Sequence, residues 1–357
     1  MSFHGSYDPQ DVTFLLKPVD LAPTPIADKE AAIQSGARHY SEMLSVETPP
    51  GADYLALYDA ALARNGRRLA QDIVTLAAAI DARAPAGREI VLASFARAGT
   101  PIGVLLRRAL VRIGRTVTHY SISIIRDRGI DRVALAHIAA AHDPTDVVFV
   151  DGWTGKGAIA AELHAALARD GPDFAPVLAV VADPAGVAEL AASADDYLIA
   201  SGLLNAIVSG LVSRTVLNAA LVRPGDFHAC VHYRDFEPID RSRAFVDHVD
   251  ALAQGLAPLA PAAPDDAPAR RQHCRALLEG IMALTDTTDR NRIKPGIAEA
   301  TRAVLRRLPD RLFLRDAADP DVAHLVHLAS EKSLAVEPLA PGSRYRAVAV
   351  IKSLGSE

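Results

Sequence analysis

Short runs of apolar residues alternate with amphipathic stretches through the first two thirds of the chain. Runs such as 147–150 are β-branched or aromatic with no polar alternation, which is typical of strands buried on both faces. The pattern predicts strands over 89–94, 116–124, 146–151 and 177–181, and helices over 101–113, 132–141 and 155–169. This alternation predicts an α/β domain with a parallel sheet and crossover helices.

Elements on either side of this alternation complete the predicted layout. Residues 201–215 carry small polar side chains at helical spacing, so they predict either a close-packed helix or a third substrate-facing loop, with packing favoured. The remaining predictions are helices over 28–44, 51–84 and 241–254, a strand near 196–199 and a strand over 227–233.

A change in composition follows at residue 255. Residues 255–268 are rich in proline and alanine and lack periodicity, which predicts a semi-rigid linker. Helices and short strands then alternate on a small scale. We therefore predict a large domain over 1–254 with an N-terminal helical extension, a linker over 255–269, and a small α/β domain over 270–357.

Two predicted strands end in small-residue turns. Asp151 closes one strand, and Thr154, Gly155, Lys156 and Gly157 follow at the start of the next helix. Free N–H groups and the helix dipole attract an anion at such a place, and glycine lets the backbone approach a phosphate. Similar turns also occur with no ligand, so a purely structural turn stays open.

The second turn lies after the first predicted strand. Arg97, Ala98, Gly99 and Thr100 lead there to Pro101, which suits the first turn of a helix. An arginine can offer several donors to a diphosphate. Because the carboxyl ends of parallel strands share one sheet edge, the two turns are predicted to hold opposite ends of one polyphosphorylated ligand.

In these turns and their order, the chain resembles the phosphoribosyltransferase superfamily. The superfamily's Arg-x-Gly-x-Pro diphosphate loop is matched at 97–101, and its sugar-phosphate loop at 147–157. The resemblance implies a Rossmann-like domain that binds 5-phosphoribosyl 1-diphosphate with Mg²⁺. It further implies displacement of diphosphate at the anomeric carbon, or phosphorolysis of a nucleoside-like compound. Gly152 stands where the family has a second acidic residue.

The same resemblance implies roles for individual residues. Arg97 would hold the diphosphate, together with Ala98, Gly99 and Thr100. Asp151 would hold the ribose, and the turn from Thr154 to Gly157 the 5-phosphate. Arg126 or Arg128, in the polar loop between the two turns, would close over the leaving group.

The whole chain is also similar to bacterial proteins of stress-response and tellurium-resistance gene clusters. Those proteins join a phosphoribosyltransferase domain to a Pelota-type RNA-binding domain, and some are labelled cysteine protease StiP. Residues 296–304 resemble the start of the RNA-contacting helix of the Pelota-type domain, although Ala298 stands where that helix has asparagine. The resemblance implies that Lys294, Gly296, Glu299 and Arg302 contact RNA.

Charge in the last quarter of the chain adds to this expectation. Between residues 290 and 315 there are eight arginines or lysines against Glu299 and Asp310. A local basic patch is what binding to backbone phosphates needs, although a run of charge is also typical of a solvated helix face.

A cysteine offers a different chemistry. Cys230 is flanked by His228 and His232, so all three side chains would share one face of a strand. A thiolate–imidazole pair is the minimum for a nucleophilic cysteine, but cysteine is also often simply buried. Two alternatives to a transferase therefore stay open: a non-catalytic RNA-binding or regulatory protein, and a cysteine protease that uses Cys230.

Composition bounds the class of protein. The chain has 357 residues, of which 50% are hydrophobic, so two domains with real cores are expected. A net charge of −5 excludes a globally basic nucleic-acid binder. Two cysteines are too few for a disulfide framework or a zinc site. With no targeting segment or long apolar stretch, we expect a cytoplasmic protein with no membrane partner, which could form a homo-oligomer.

Overall fold

The computed structural model describes residues 3–340 and 342–354. The strands in this part are β1 (Thr13–Phe14), β2 (Lys17–Pro18), β3 (Ile90–Phe95), β4 (Val117–Ile122), β5 (Ile124–Ile125), β6 (Gly129–Ile130), β7 (Val147–Trp153), β8 (Leu178–Ala182), β9 (Leu190–Ser193), β10 (Ala229–Cys230), β11 (Ile293–Pro295), β12 (Pro309–Leu314), β13 (Ala335–Pro338) and β14 (Ala347–Ile351). The helices are α1 (Ile26–Gln34), α2 (Ala52–Arg83), α3 (Gly99–Arg112), α4 (Arg132–Ala141), α5 (Ala158–Asp170), α6 (Ser242–Ala253), α7 (Ala267–Leu284), α8 (Ile297–Arg306) and α9 (Ala323–Glu331).

Six strands form one sheet in the order β1-β4-β3-β7-β8-β9, and every neighbouring pair runs parallel. Both β3 and β8 are buried along their whole length. Continuous burial requires helices on both faces of the sheet, which explains why these strands lack polar alternation. The predicted α/β class with a parallel sheet is confirmed.

The faces of this sheet form two separate cores, because successive side chains of a strand point to opposite sides. Val148 and Val150 pack into a core with residues of α2, α3 and α6. Phe149 packs into a second core with residues of α4 and α5. The turns after β3 and β7 therefore lie beside each other at one edge of a three-layer unit.

A second sheet has the order β11-β14-β12-β13. Leu312 on one face packs with Ile297 and Leu325 of α8 and α9. Phe313 on the other face packs with Leu278 of α7. The predicted small C-terminal α/β unit is confirmed in architecture.

The two units are joined by buried polar contacts. The carboxylate of Asp196 accepts hydrogen bonds from the backbone N–H groups of Ile297 (3.0 Å) and Arg346 (2.8 Å). Burial raises the pKa of Asp196 to about 6, and these hydrogen bonds partly offset that rise. A carboxylate of the first unit therefore caps the start of α8 in the second unit.

The proline-rich segment lies along the first unit. The backbone N–H of Leu259 donates to Oγ1 of Thr75 at 3.1 Å, and that of Ala262 donates to the carbonyl of Ala191 at 2.9 Å. A linker held in this way fixes the path of the chain between the two sheets. The domain boundaries themselves stay a prediction.

Three predicted elements differ from the structure. The helix predicted over 28–44 ends at Gln34, because Gly36 adopts a left-handed conformation (φ 72°) that stops it. The edge strand lies at Leu190–Ser193 rather than near 196–199, where Asp196 turns towards α8 instead. The strand predicted over 227–233 is only Ala229–Cys230, paired with β2.

Residues 201–215 form neither a long helix nor an open loop. They fold into two short 3-10 turns, Ala200–Gly202 and Ala206–Val208, with most side chains buried. Packing is therefore their main role. No helix in the described ranges is long and apolar enough to cross a membrane.

Candidate functional site

A cavity of about 1300 Å³ opens between the two units, at the carboxyl ends of β3 and β7. Its walls include the turn after each of these strands, the loop after β5, and the face of α8. The predicted turn after β7 and three of the four predicted RNA-contacting residues, Lys294, Glu299 and Arg302, therefore face one shared space. From the turn after β3, Arg97 and Ala98 line this space, whereas Gly99 and Thr100 do not. We call this space the cleft.

The turn after β7 is partly occupied by contacts within the protein. Thr154 donates from Oγ1 to Oδ1 of Asp183 at 2.6 Å and is buried. The carbonyl of Gly155 accepts a hydrogen bond from the hydroxyl of Tyr345 at 2.7 Å. A Cβ at Gly155 would lie 2.8 Å from Cγ of Glu299, so glycine is required here by the close approach of α8.

Two charged residues of this turn remain at the cleft surface. Lys156 donates from Nζ to the carbonyls of Arg290 and Ile293, and burial with nearby Arg126 lowers its pKa to about 8. Asp151 accepts a hydrogen bond from the N–H of Gly152 at 2.8 Å. Burial raises the pKa of Asp151 to about 6, an effect that Arg302 partly offsets.

The turn after β3 is more tightly built than the sequence indicates. Arg97 is 7% exposed, and its Nη1 donates to both carboxylate oxygens of Glu47 (2.8 and 3.1 Å) and to the carbonyl of Val212. Thr100 pairs with the hydroxyl of Ser121, and a Cβ at Gly99 would lie 2.4 Å from the carbonyl oxygen of Val150. Arg97 is thus already neutralised by an acidic partner, while Ala98 lines the cleft.

The two arginines of the intervening loop lie at the cleft wall. Arg126 pairs with Asp127 at 3.0 Å and donates to Oδ1 of Asn291 in the second unit at 3.3 Å. Arg128 is about half exposed and pairs with Glu42 at 3.4 Å. Both remain within reach of a ligand that enters the cleft.

The second unit contributes a compact charged group. Arg302 donates to Glu299 at 3.3 Å and lies 4.7 Å over the ring of Trp153. Burial and the charge of Lys156 lower the pKa of Lys294 to about 7. Gly296 differs from these: it is buried, with φ 92°, and its N–H donates to the carbonyl of Ala347. Its role is therefore to turn the chain into α8.

Several cleft residues were not predicted as site residues. They are cationic or aromatic and come from segments far apart in the chain: Lys29, Tyr40, Trp153, Arg214, Arg306 and Arg307. Arg306 and Arg307 belong to the basic run noted in the sequence, which was the available signal for them. No pattern marked Lys29. Arg214 lies in the segment 201–215, for which a substrate-facing loop was the less favoured of two predictions.

Both cysteines lie away from the cleft surface. Cys230 is fully buried in β10, and burial raises the pKa of its thiol to about 12. The Nδ1 of His228 hydrogen-bonds to the hydroxyl of Ser123 at 2.8 Å. The ring of His232 packs against Phe3, and its Nε2 has no partner within the described residues. His228 and His232 are close to Cys230 in sequence, but the raised pKa of the thiol means that they do not activate it as a nucleophile in this structure.

The Mg²⁺ implied by the phosphoribosyltransferase resemblance has no obvious protein cage. Among the described residues, no group of three or more His, Cys, Asp or Glu could hold a metal ion. Magnesium commonly uses one or two carboxylates together with phosphate oxygens, so Mg²⁺ stays a prediction here.

Comparison with known proteins decides the family. Residues 5–250 match the family described as tellurite-like stress resistance cysteine protease StiP. A relative from Acinetobacter baylyi named "Cysteine protease StiP" is 42% identical, over 99% of this chain and 95% of its own length. The chain belongs to the StiP family. Residues 272–353 match the PELOTA RNA binding domain, so the second unit of this StiP family member is of the Pelota type.

Solved structures add little to this assignment. One similar structure is that of a glutamine mutant, described as an analysis of an invariant aspartic acid in HPRTs. It aligns with 48% of this chain, with a TM-score of 0.28. A Trypanosoma cruzi hypoxanthine phosphoribosyltransferase with the product IMP covers 54% with a TM-score of 0.27. Both are 14% identical and span over 90% of their own chains. Similarity this weak says nothing about activity.

The predicted phosphoribosyltransferase function is therefore wrong. The relative that matches almost the whole chain is named a protease, and the family description names the same activity. Transfer or phosphorolysis of a ribosyl group and binding of 5-phosphoribosyl 1-diphosphate have no support in these matches. The expected bacterial stress-resistance family and the Pelota-type domain are confirmed.

Proposed function

We propose that this StiP family protein binds RNA in the cleft between its two units. The observation that carries the proposal is the convergence of cationic side chains from both units on one cavity. They are Lys29, Arg126, Lys156, Arg214, Lys294, Arg302, Arg306 and Arg307. Phosphate contacts supply most of the free energy of non-specific RNA binding, and a groove of this kind tracks a nucleic-acid backbone.

The electrostatics of the cleft support an anionic ligand. Burial and neighbouring positive charges lower the pKa of Lys156, Lys294 and Arg306 below their ordinary values. Like charges held close together are costly, and a bound polyanion would relieve their repulsion. The cleft is therefore built to gain free energy when phosphates enter it.

Aromatic rings in the same cleft suit the bases of a single strand. Trp153 lies beneath the guanidinium of Arg302, and the guanidinium groups of Arg126 (5.5 Å) and Arg214 (5.2 Å) both lie near the ring of Tyr40. Rings beside cationic groups offer stacking surfaces that accept any base. RNA with unpaired segments fits this arrangement better than a continuous duplex, whose bases are already stacked.

A fluorescence titration tests this function. Trp153 is the only tryptophan of the chain, so its emission reports on the cleft alone. We expect single-stranded RNA to change this emission saturably, with an affinity that falls steeply as salt increases. RNA that binds without changing Trp153 emission, or does not bind at all, would contradict the proposal. The variant Trp153→Phe should lose the signal but still bind RNA in a filter assay.

The affinity for RNA should fall as pH rises. The pKa of Lys294 is about 7 and that of Lys156 about 8, so both lose protons from the free protein above these values. Because only the charged form attracts phosphate, affinity should be greatest at low pH and fall about tenfold between about pH 6.5 and about pH 9. Lys294→Arg keeps its charge and should flatten the profile, which filter binding across this pH range can measure.

Peptide-bond cleavage by a cysteine is the second candidate function. The family description and the name of the A. baylyi relative favour it. In this proposal the protein is an enzyme and Cys230 is the nucleophile, because His228 and His232 flank it in the chain. Since the thiol is fully buried, cleavage would require β10 to separate from β2 and open a path to Cys230.

A further inference from the structure

A second cavity, of about 360 Å³, continues from the cleft. Ser45, Arg97, Arg214 and Arg306 line both spaces, so the boundary between them is mainly cationic. A ligand in the cleft could extend past these residues without leaving the protein. We call the second space the side pocket.

The walls of the side pocket suit a flat, uncharged group. The rings of Tyr233 and Phe236 are stacked on each other, with centroids 5.3 Å apart and an angle of 18° between planes. Tyr54 and His327 line the pocket as well, together with several leucines. An aromatic ligand can stack on such rings and bury its apolar faces.

Carboxylates make the side pocket less favourable for a phosphate than its cationic boundary. The carboxylates of Glu47, Asp53 and Glu331 line it. Glu47 is paired with Arg97 at 2.8 Å, and Glu331, which is largely exposed, lies 3.3 Å from His327. A phosphate is therefore attracted more strongly to the arginines at the boundary than to the pocket, so a bound nucleotide is expected to keep its phosphate at the boundary.

The boundary has an unused donor for such a phosphate. The Nε of Arg306 is shielded from solvent and has no hydrogen-bond partner among the residues that the structure describes. Arg97 is already committed to Glu47 and to the carbonyl of Val212. Buried donors are normally paired, so this Nε is available to a phosphate at the boundary.

One amide inside the pocket is also available. Hydrogen bonds involving Asn205 in the described chain use its backbone carbonyl, which accepts from Ser209, while its side-chain amide stays open. An asparagine amide presents a donor beside an acceptor, the complement of an adenine edge. The pocket thus offers a stacking face and a hydrogen-bonding edge.

We propose that the side pocket holds the base of one unpaired nucleotide of the RNA in the cleft, with its phosphate at Arg306. This inference rests on the proposed RNA-binding function and adds a specificity element to it. A volume of about 360 Å³ lies at the lower end of the range for small-molecule pockets, about 300–1,000 Å³. Inserting a base costs least where it is already unpaired, so the pocket favours single-stranded or bulged RNA.

The test uses the full chain and short single-stranded RNAs that carry 2-aminopurine at one position each. We expect emission to change at least about twofold at one position and little at the others, because only that base exchanges stacking on its RNA neighbours for stacking on the rings of the side pocket. Tyr233→Ala and Asn205→Ala should each remove that position-specific change. Tyr120→Ala, at a tyrosine that lines neither space, is the matched control and should keep it.

Two outcomes would overturn the inference and separate it from the proposed function. If RNA binds and changes Trp153 emission, but all 2-aminopurine positions respond alike and Tyr233→Ala has no effect, the side pocket holds no base while the cleft still binds RNA. If wild type binds no RNA, both proposals fail together.

Discussion

Replacing Arg306 with glutamate is expected to weaken RNA binding by about 100-fold, or about 2.7 kcal/mol. Arg306 lies where the cleft meets the side pocket, and its Nε has no hydrogen-bond partner among the described residues. The substitution places a carboxylate where a phosphate is expected. Filter binding at several salt concentrations gives the slope of log affinity against log salt. This slope should become shallower by the contribution of about one or two lost phosphate contacts.

Arg311→Glu is the matched control for this result. Arg311 belongs to the same basic run and the substitution changes the net charge equally, but the residue lines neither cavity and pairs with Glu337 at 3.6 Å. We expect its effect on RNA affinity to stay within about twofold. Equal losses in the two variants would mean that RNA responds to overall charge rather than to the cleft.

The second large effect concerns Cys230. Its thiol is fully buried and has a pKa of about 12, so thiolate at neutral pH should be about a thousandfold rarer than for a free cysteine. We expect iodoacetamide to label Cys230 at least about a thousandfold more slowly than glutathione, followed by mass spectrometry, and labelling to become complete after denaturation.

The same experiment bears on the candidate peptidase. If a peptide substrate is cleaved, labelling of Cys230 should accelerate when substrate is present, and Cys230→Ala should abolish cleavage while Cys274→Ala does not. Fast labelling in the resting protein would contradict the burial of the thiol. Cleavage that survives Cys230→Ala would remove Cys230 as the nucleophile.

Much of the fold could be predicted because its signals are local. The β-branched apolar runs at β3, β7 and β8 and the amphipathic helices between them follow directly from burial on both faces of a parallel sheet. The prediction near 196–199 failed for a non-local reason. Asp196 turns away from the sheet because its carboxylate caps α8, about 100 residues later in the chain.

The site was only partly predictable for the same reason. The sequence indicated the glycine-rich turn after β7 and the basic run at 290–315 as two independent features. It could not show that α8, which belongs to the basic run, packs on that turn. It also could not show that Glu47 neutralises Arg97, because the two are 50 positions apart. Lys29 reaches the cleft from a segment whose sequence carries no motif, and Arg214 from a segment for which packing was the favoured prediction.

The glycine-rich turn explains why the function was misjudged. Gly155 permits close approach by another group, and the sequence suggested that this group is a phosphate. In the structure, that close neighbour is Glu299 of the second unit, and the hydroxyl of Tyr345 satisfies the carbonyl of Gly155. Such a turn indicates close contact, and it does not identify the chemical nature of what makes the contact.

The location of bound RNA is the most direct test of the central claim, that the two units bind RNA in the cleft between them. Ultraviolet crosslinking of single-stranded RNA to the full chain, followed by mass spectrometry, measures this. We predict crosslinks at Tyr40 and Trp153, which both line the cleft and lie far from β13 in the chain. Crosslinks confined to the outer surface around β12 and β13, with none at Tyr40 or Trp153, would contradict the account.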